Sequence, residues 1–241
     1  MKKHIYKPKY SNDFMRWHGI FKNLHESPDK RQEQIIALQN KIITDNDAAL
    51  AYYFATDIGQ QNYKMQNVII KTKSAKYGIL FAMNIPNADI AALQKMMFES
   101  EGEDKMEYIC NFGCFVPGAN IKKIEALVLA EGEAKWAHMM LKHVKGTSPA
   151  KFKKIIMESK CPRYLYELAK HLKKKKDLEA IEELIIASKS KTYIRMFAEK
   201  IPSANVEKLE QAILDMDDVE QVKKFATYVK RSKMRNFVVM F

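Results

Sequence analysis

Residues 197–214 read FAEKIPSANVEKLEQAIL, and residues 81–97 read FAMNIPNADIAALQKMM. The two stretches stand more than a hundred positions apart yet follow one formula. Each has an aromatic-small pair, a short polar step, an Ile-Pro turn, an Asn or Asp, and then an amphipathic run. A proline after an apolar run stops a helix, and Asn or Asp can accept from the orphan N–H groups that open the next one. Both stretches therefore read as one joint, in which helix B ends and helix A of the next unit begins.

Working outward, the joint recurs. Asn120, Ser148, Asp177 and Asn205 are spaced 28, 29 and 28 residues apart, and all four are good N-cap types. One residue on stand Ile121, Pro149, Leu178 and Val206, and four on stand Ile124, Phe152, Ile181 and Leu209. Eight on come Val128, Ile156, Ile185 and Ile213. Apolar positions +1, +4 and +8 form one stripe of a three-turn helix. A polar break then leads into helix B. Position +16 holds Trp136, Tyr164 and Tyr193, +20 holds Met140, Leu168, Phe197 and Phe225, and +24 holds Val144, Leu172, Ile201 and Val229. At +21 the small residues Ala169, Ala198 and Ala226 recur, which predicts close helix approach. Earlier copies open at Asp89 and, more weakly, at Asn62. The step from Asp89 to Asn120 is lengthened to 31 residues.

One helix pair cannot bury its apolar stripe, whereas stacked pairs bury a continuous core. The expected fold is all-α, a right-handed α-solenoid of about six stacked helix pairs. Units are placed near 30–61, 62–88, 89–119, 120–147, 148–176, 177–204 and 205–232. Residues 1–29 are expected to be a basic arm and a cap helix that shields the open end of the first pair, with 233–241 a C-terminal tail. The array resembles HEAT and armadillo repeats in kind, although its period is shorter and their signature residues are missing. Over residues 62–232 it is also similar to short helical repeats of uncharacterised phage and bacterial proteins. The resemblance implies the fold and carries no activity.

Composition narrows the function classes. The 241 residues include only 8 Gly and 7 Pro, which suits helices better than a turn-rich β protein. No apolar run reaches the roughly 18 residues of a membrane span, and no signal peptide is expected, because no apolar stretch follows MKKHIYKPKYSND. Three cysteines, an odd number, fit a reducing compartment, so a cytoplasmic or intracellular site is expected. Cys110 and Cys114, with His138 and His143 following, match no common zinc spacing, and neither metal nor cofactor is expected.

The net charge of +12 is uneven: +4 over residues 1–30, −1 over 31–144 and +9 over 145–241. Lys142, Lys145, Lys170, Lys173, Lys174, Lys175, Lys176, Lys200, Lys230, Arg231 and Lys233 fall at successive joints. Repeat geometry predicts that they line one edge as a ridge suited to an anionic partner. The lysines at 173–176 are expected to follow the end of a helix B, where the dipole favours cations. Glu125, Glu182 and Glu210 share position +5 and are expected on the outer face of helix A. Trp136, Tyr164 and Tyr193 read as half-buried packing, with a stacking ladder for bases as the sharper alternative. No Gly-rich phosphate loop, HExxH, GxSxG or CxxC is present. The leading expectation is a non-enzymatic scaffold that holds another protein. The alternatives are a nucleic-acid binder using the basic ridge and, more weakly, an enzyme like the DNA glycosylases built on HEAT-like repeats.

Overall fold

The computed structural model describes residues 11–24, 26–144 and 146–234. Among these it contains fifteen helices and no strand. They are α1 (Asn12–Lys22), α2 (Pro28–Asp45), α3 (Ala48–Asp57), α4 (Asn62–Lys71), α5 (Ala75–Asn84), α6 (Ile90–Glu99), α7 (Lys105–Phe115), α8 (Ile121–Glu131), α9 (Ala134–His143), α10 (Pro149–Glu158), α11 (Pro162–Ala169), α12 (Lys175–Ala187), α13 (Lys191–Lys200), α14 (Val206–Leu214) and α15 (Val219–Tyr228). After α1 the described helices follow one another as seven successive A/B pairs, one for each of the seven ranges placed by the sequence and one more than the approximate count of six. The chain divides within α8 into two compact units, Met1–Ile124 and Glu125–Phe241.

In each unit the helices stack on their neighbours in sequence. In the first unit α3 packs on α4 and α5, and α5 packs on α6 and α7. In the second, α9 packs on α10 and α11, α11 on α12 and α13, and α13 on α14 and α15. The core is the stripe read from the sequence. Ile124, Phe152, Ile181 and Leu209 at +4 are fully buried, as are Met140, Leu168, Phe197 and Phe225 at +20. Leu172 is the exception at +24 and is only half-buried. There α11 stops early, at Ala169, and a tighter turn follows in which His171 N–H donates to Leu168 and Leu172 N–H to Ala169. The small position in helix B allows close approach. A Cβ on Gly113 of α7 would stand 2.9 Å from Ile124 Cδ1.

The unit origins fall 27 to 31 residues apart when counted from Gln34, Gln61, Asp89, Asn120, Ser148, Asp177, Asn205 and Lys233. Gln61, not Asn62, precedes α4. Two recurring devices hold the frame together. The first is a left-handed residue at +12, which turns helix A into helix B. Asn46, Lys73, Gly132, Lys160, Lys189 and Asp217 occupy it with φ between 49° and 71°. Only one is glycine, so the others carry the cost of placing a Cβ in that region. Hydroxyls at +11 brace the same turn: Thr72, Ser100, Ser159 and Ser188 each donate to the carbonyl three residues back.

The second device overturns the expectation for position +5, which is buried. Gln66, Gln94, Glu125, Glu182 and Glu210 are at most 8% exposed. Their side chains reach the entry of the next unit. Gln66 accepts from Asp89 N–H at 2.9 Å, Glu182 from Asn205 N–H at 2.8 Å and Glu210 from Lys233 N–H at 2.7 Å. Gln94 makes two bonds, accepting from Asn120 N–H at 2.7 Å and donating to its carbonyl at 3.1 Å. Gln39 donates to the Gln61 side chain, and Glu125 pairs with Lys151. At four joints, those of Asp89, Asn120, Asn205 and Lys233, the entry N–H is thus satisfied by the preceding helix A, as a buried backbone group requires.

Helix α1 packs on α3, where Trp17 is 1% exposed and its indole N–H donates to Asp57 at 2.6 Å. Its Phe14 and Trp17 rings lie against Tyr53. At its first turn Asp13 reaches α5, accepting from the Tyr77 hydroxyl and pairing with Lys76 at 3.5 Å. The expected basic arm falls in residues 1–10 and lies outside the described residues. Of the expected tail, Lys233 and Met234 are described, and Lys233 N–H donates to Glu210 as the entry residues Asp89 and Asn205 do to Gln66 and Glu182.

Candidate functional site

The lysines at 173–176 do not all follow a helix end. α12 begins at Lys175 with Lys174 as its N-cap residue, three positions before the expected cap Asp177. Lys175 and Lys176 therefore sit in the first turn of a helix, where the dipole opposes cations. Asp177, inside that turn, offsets this and pairs with Lys153 at 2.5 Å.

The expected ridge residues fall into two classes. Several are neutralised locally. Lys170 pairs with Glu167 at 2.6 Å, Lys200 with Glu199 at 2.7 Å, Lys175 with Glu179 at 3.7 Å, and Lys233 with Glu207. Arg231 turns its guanidinium onto the end of α13, donating to the carbonyls of Pro202, Ala198 and Ile201 at 2.6, 2.8 and 2.9 Å. It acts as a C-terminal clamp on that helix. The remaining described members, Lys142, Lys173, Lys174, Lys176 and Lys230, are exposed and form no ion pair with a described residue. Lys145 lies outside the described residues. A recess of about 270 Å³ lies on this edge beside Lys200, Tyr228, Lys230 and Arg231.

A wider groove of about 700 Å³ lies at the opposite, A-to-B turns, lined by Ile186, Lys189 and Ala212. Two lysines at its rim, Lys191 and Lys208, are committed to Asp218 and Glu183.

The outward side of the B helices in the second unit adds cations that the ridge pattern missed. Lys135 and Arg163, at +15, are exposed and form no ion pair with a described residue. Beside each stands an aromatic at +16. The Lys135 ammonium lies 4.2 Å from the Trp136 ring centre. Trp136 is 7% exposed, while Tyr164 and Tyr193 are half-buried, so these rings pack between helices rather than standing free. Tyr164 lies against His138 at 4.9 Å and Tyr193 against Tyr166 at 6.1 Å, each joining one B helix to the next.

His138 is buried here, with Nε2 lacking a hydrogen-bond partner. Burial holds its imidazole down to about 4, with Glu167 opposing and Arg163, Lys142 and His143 reinforcing the shift. The ring therefore stays neutral in a cationic neighbourhood. Cys110 is buried, and burial pushes the half-buried Cys114 thiol up to about 11, which leaves it a poor nucleophile. Among the described residues no three His, Cys, Asp or Glu side chains come together to hold a metal, and no helix is long and apolar enough to cross a membrane.

Comparison with protein-family models, with curated proteins and with solved structures finds no match to this chain.

Proposed function

We propose that the chain is a non-enzymatic helical-repeat binding scaffold, its pairs wound as a right-handed α-solenoid, and that its working surface holds another protein. The observation that carries this reading is the set of exposed cations on α9, α11 and the joint after α11, Lys135, Lys142, Arg163, Lys173 and Lys174, which form no ion pair with a described residue. Lys135 stands over the Trp136 ring, and Arg163 precedes Tyr164, whose ring is fixed in the stack against His138. Unneutralised surface charge does little for folding and is available to steer an oppositely charged partner.

A second reading, binding of DNA or RNA, is favoured by the same cations lying next to aromatic rungs, as in surfaces that track a strand. The rings argue against it, because they are packed between helices and offer little open face for a base. Affinity capture with and without nuclease, using the intact chain and a Lys135→Gln/Lys142→Gln/Arg163→Gln variant, separates the readings. The scaffold reading expects capture that survives nuclease and falls in the variant. Capture abolished by nuclease, with binding to oligonucleotides that weakens steeply as salt rises, refutes it.

A further inference from the structure

Position +15/+16 of helix B has a use already displayed inside the chain. In α5 the pair is Lys76 and Tyr77, with the Lys76 ammonium 4.9 Å from the Tyr77 ring centre. The occupant of this rung is a carboxylate: Asp13 of α1 accepts from the Tyr77 hydroxyl and lies 3.5 Å from Lys76 Nζ. The contact holds Asp13 below the usual carboxylate range, chiefly through the Tyr77 hydrogen bond, with Lys76 and Arg16 adding to it against burial. The same burial, with the Asp13 carboxylate beside it, raises the Tyr77 hydroxyl. One turn along α1, Trp17 lies against Tyr53 of α3, so the helix is fixed by an acid and by an aromatic four residues later.

The second unit repeats the rung twice. Lys135/Trp136 in α9 and Arg163/Tyr164 in α11 occupy the register of Lys76/Tyr77, counted from Asn120 and Ser148 as Lys76/Tyr77 is from Gln61. Lys135 stands over its ring as Lys76 does, at 4.2 Å against 4.9 Å. Neither Lys135 nor Arg163 is paired with a described carboxylate, and neither the Trp136 indole N–H nor the Tyr164 hydroxyl donates to a described residue. The nearby acid on these two helices, Glu167, is taken by Lys170. Two such rungs on adjacent helices are therefore filled by no described carboxylate.

We infer that the α9/α11 surface docks an acidic amphipathic helix of a partner protein, its carboxylates on these rungs as Asp13 of α1 is on Lys76 and Tyr77. The recognised feature is a carboxylate followed four residues later by an aromatic ring, with a second carboxylate at the spacing of neighbouring B helices. An acidic partner helix fits better than α1 of a second copy, because α1 carries Arg16 and Lys22 besides Asp13, and its Asp13 and Trp17 are already engaged by Tyr77 and Asp57. Carboxylates are preferred over phosphates because each rung offers one cation and one ring-borne donor, a match for a single acid rather than for a continuous phosphate backbone.

The inference rests on the protein-scaffold reading, and its test keeps the two apart. The probe is a fluorescein-labelled helix-favouring peptide of about twenty residues bearing Asp and Trp at i and i+4, with a second Asp two turns along, about 10 Å from the first. It is titrated by anisotropy with the full chain at low salt. Binding is expected to fall about tenfold when the two Asp become Asn, and again by about fivefold to tenfold in Lys135→Gln or Arg163→Gln protein. Lys223→Gln, an exposed change on α15, should leave it unaltered, and matching circular dichroism excludes misfolding of the variants. Equal binding of the acid and amide peptides overturns the inference. If the peptides fail but nuclease-resistant protein capture still depends on Lys135 and Arg163, the acidic-helix inference falls and the scaffold reading stands. If a single-stranded oligonucleotide binds through the same two residues and displaces the peptide, both fall.

Discussion

Replacing Gln94 by leucine tests the device that ties one unit to the next. The side chain is 5% exposed and makes two bonds to the entry of the following unit, to Asn120 N–H at 2.7 Å and to Asn120 C=O at 3.1 Å. Leucine has nearly the same size and removes both. Each neutral bond contributes about 1 kcal/mol net, and a buried group left unpaired costs about 1–3 kcal/mol. Asn120 itself is exposed, so water can recover part of that cost. The leucine also gains some apolar burial, and the expected net loss is about 2 kcal/mol. Urea unfolding followed by circular dichroism measures it, and hydrogen exchange at the Asn120 amide locates it, because that N–H loses its acceptor. Gln94→Glu should be destabilising too, since a carboxylate accepts the N–H but has nothing to donate to the carbonyl. A loss below about 0.5 kcal/mol for Gln94→Leu, with Asn120 exchange unchanged, refutes the idea that position +5 links the units.

Phe197→Ala, at a fully buried +20 position, should cost about 3 kcal/mol in denaturant unfolding, while a loss under about 1 kcal/mol means the site is not core. His138 binds its proton more weakly folded, at about 4, than in an unfolded chain near 6.5. Protonation therefore favours the unfolded state: stability is full above about pH 6.5 and falls as pH drops toward 4, by at most about 3 kcal/mol. His138→Phe should remove that slope in unfolding measured across the range, and an unchanged slope contradicts the assignment. Lys160→Gly relieves a left-handed residue with φ of 51° at a register where Gly132 already stands. Relief of about 1–2 kcal/mol, less the entropy of glycine in the unfolded chain, should raise stability by about 0.5–1 kcal/mol, and a loss shows that the lysine side chain contributes there.

The sequence alone determined the class and the period. Helical stripes are local: the spacing of Ile124, Val128, Phe197 and Ile201 states which face must be buried whatever lies opposite. The caps Asn120, Ser148 and Asn205 mark helix starts at Ile121, Pro149 and Val206, because capping is settled within four residues. It also located the aromatic rung Trp136, Tyr164 and Tyr193 as packing. Tertiary structure alone decided what the polar residues do. Glu182 and Gln94 look like surface residues on a helical wheel, yet each is buried because its partner is a backbone group 23 or 26 residues away. Lys73, Lys160 and Lys189 give no sign of a left-handed turn, since the conformation is imposed by the helices on either side. The lysine count could not tell Arg231, locked onto three carbonyls, from Lys142, which pairs with no described acid, because neutralisation depends on which groups the stack brings within reach. The sequence likewise gives Asp13 no partner: only the fold lays α1 across α3 and places its carboxylate between Lys76 and Tyr77, 63 and 64 residues along the chain.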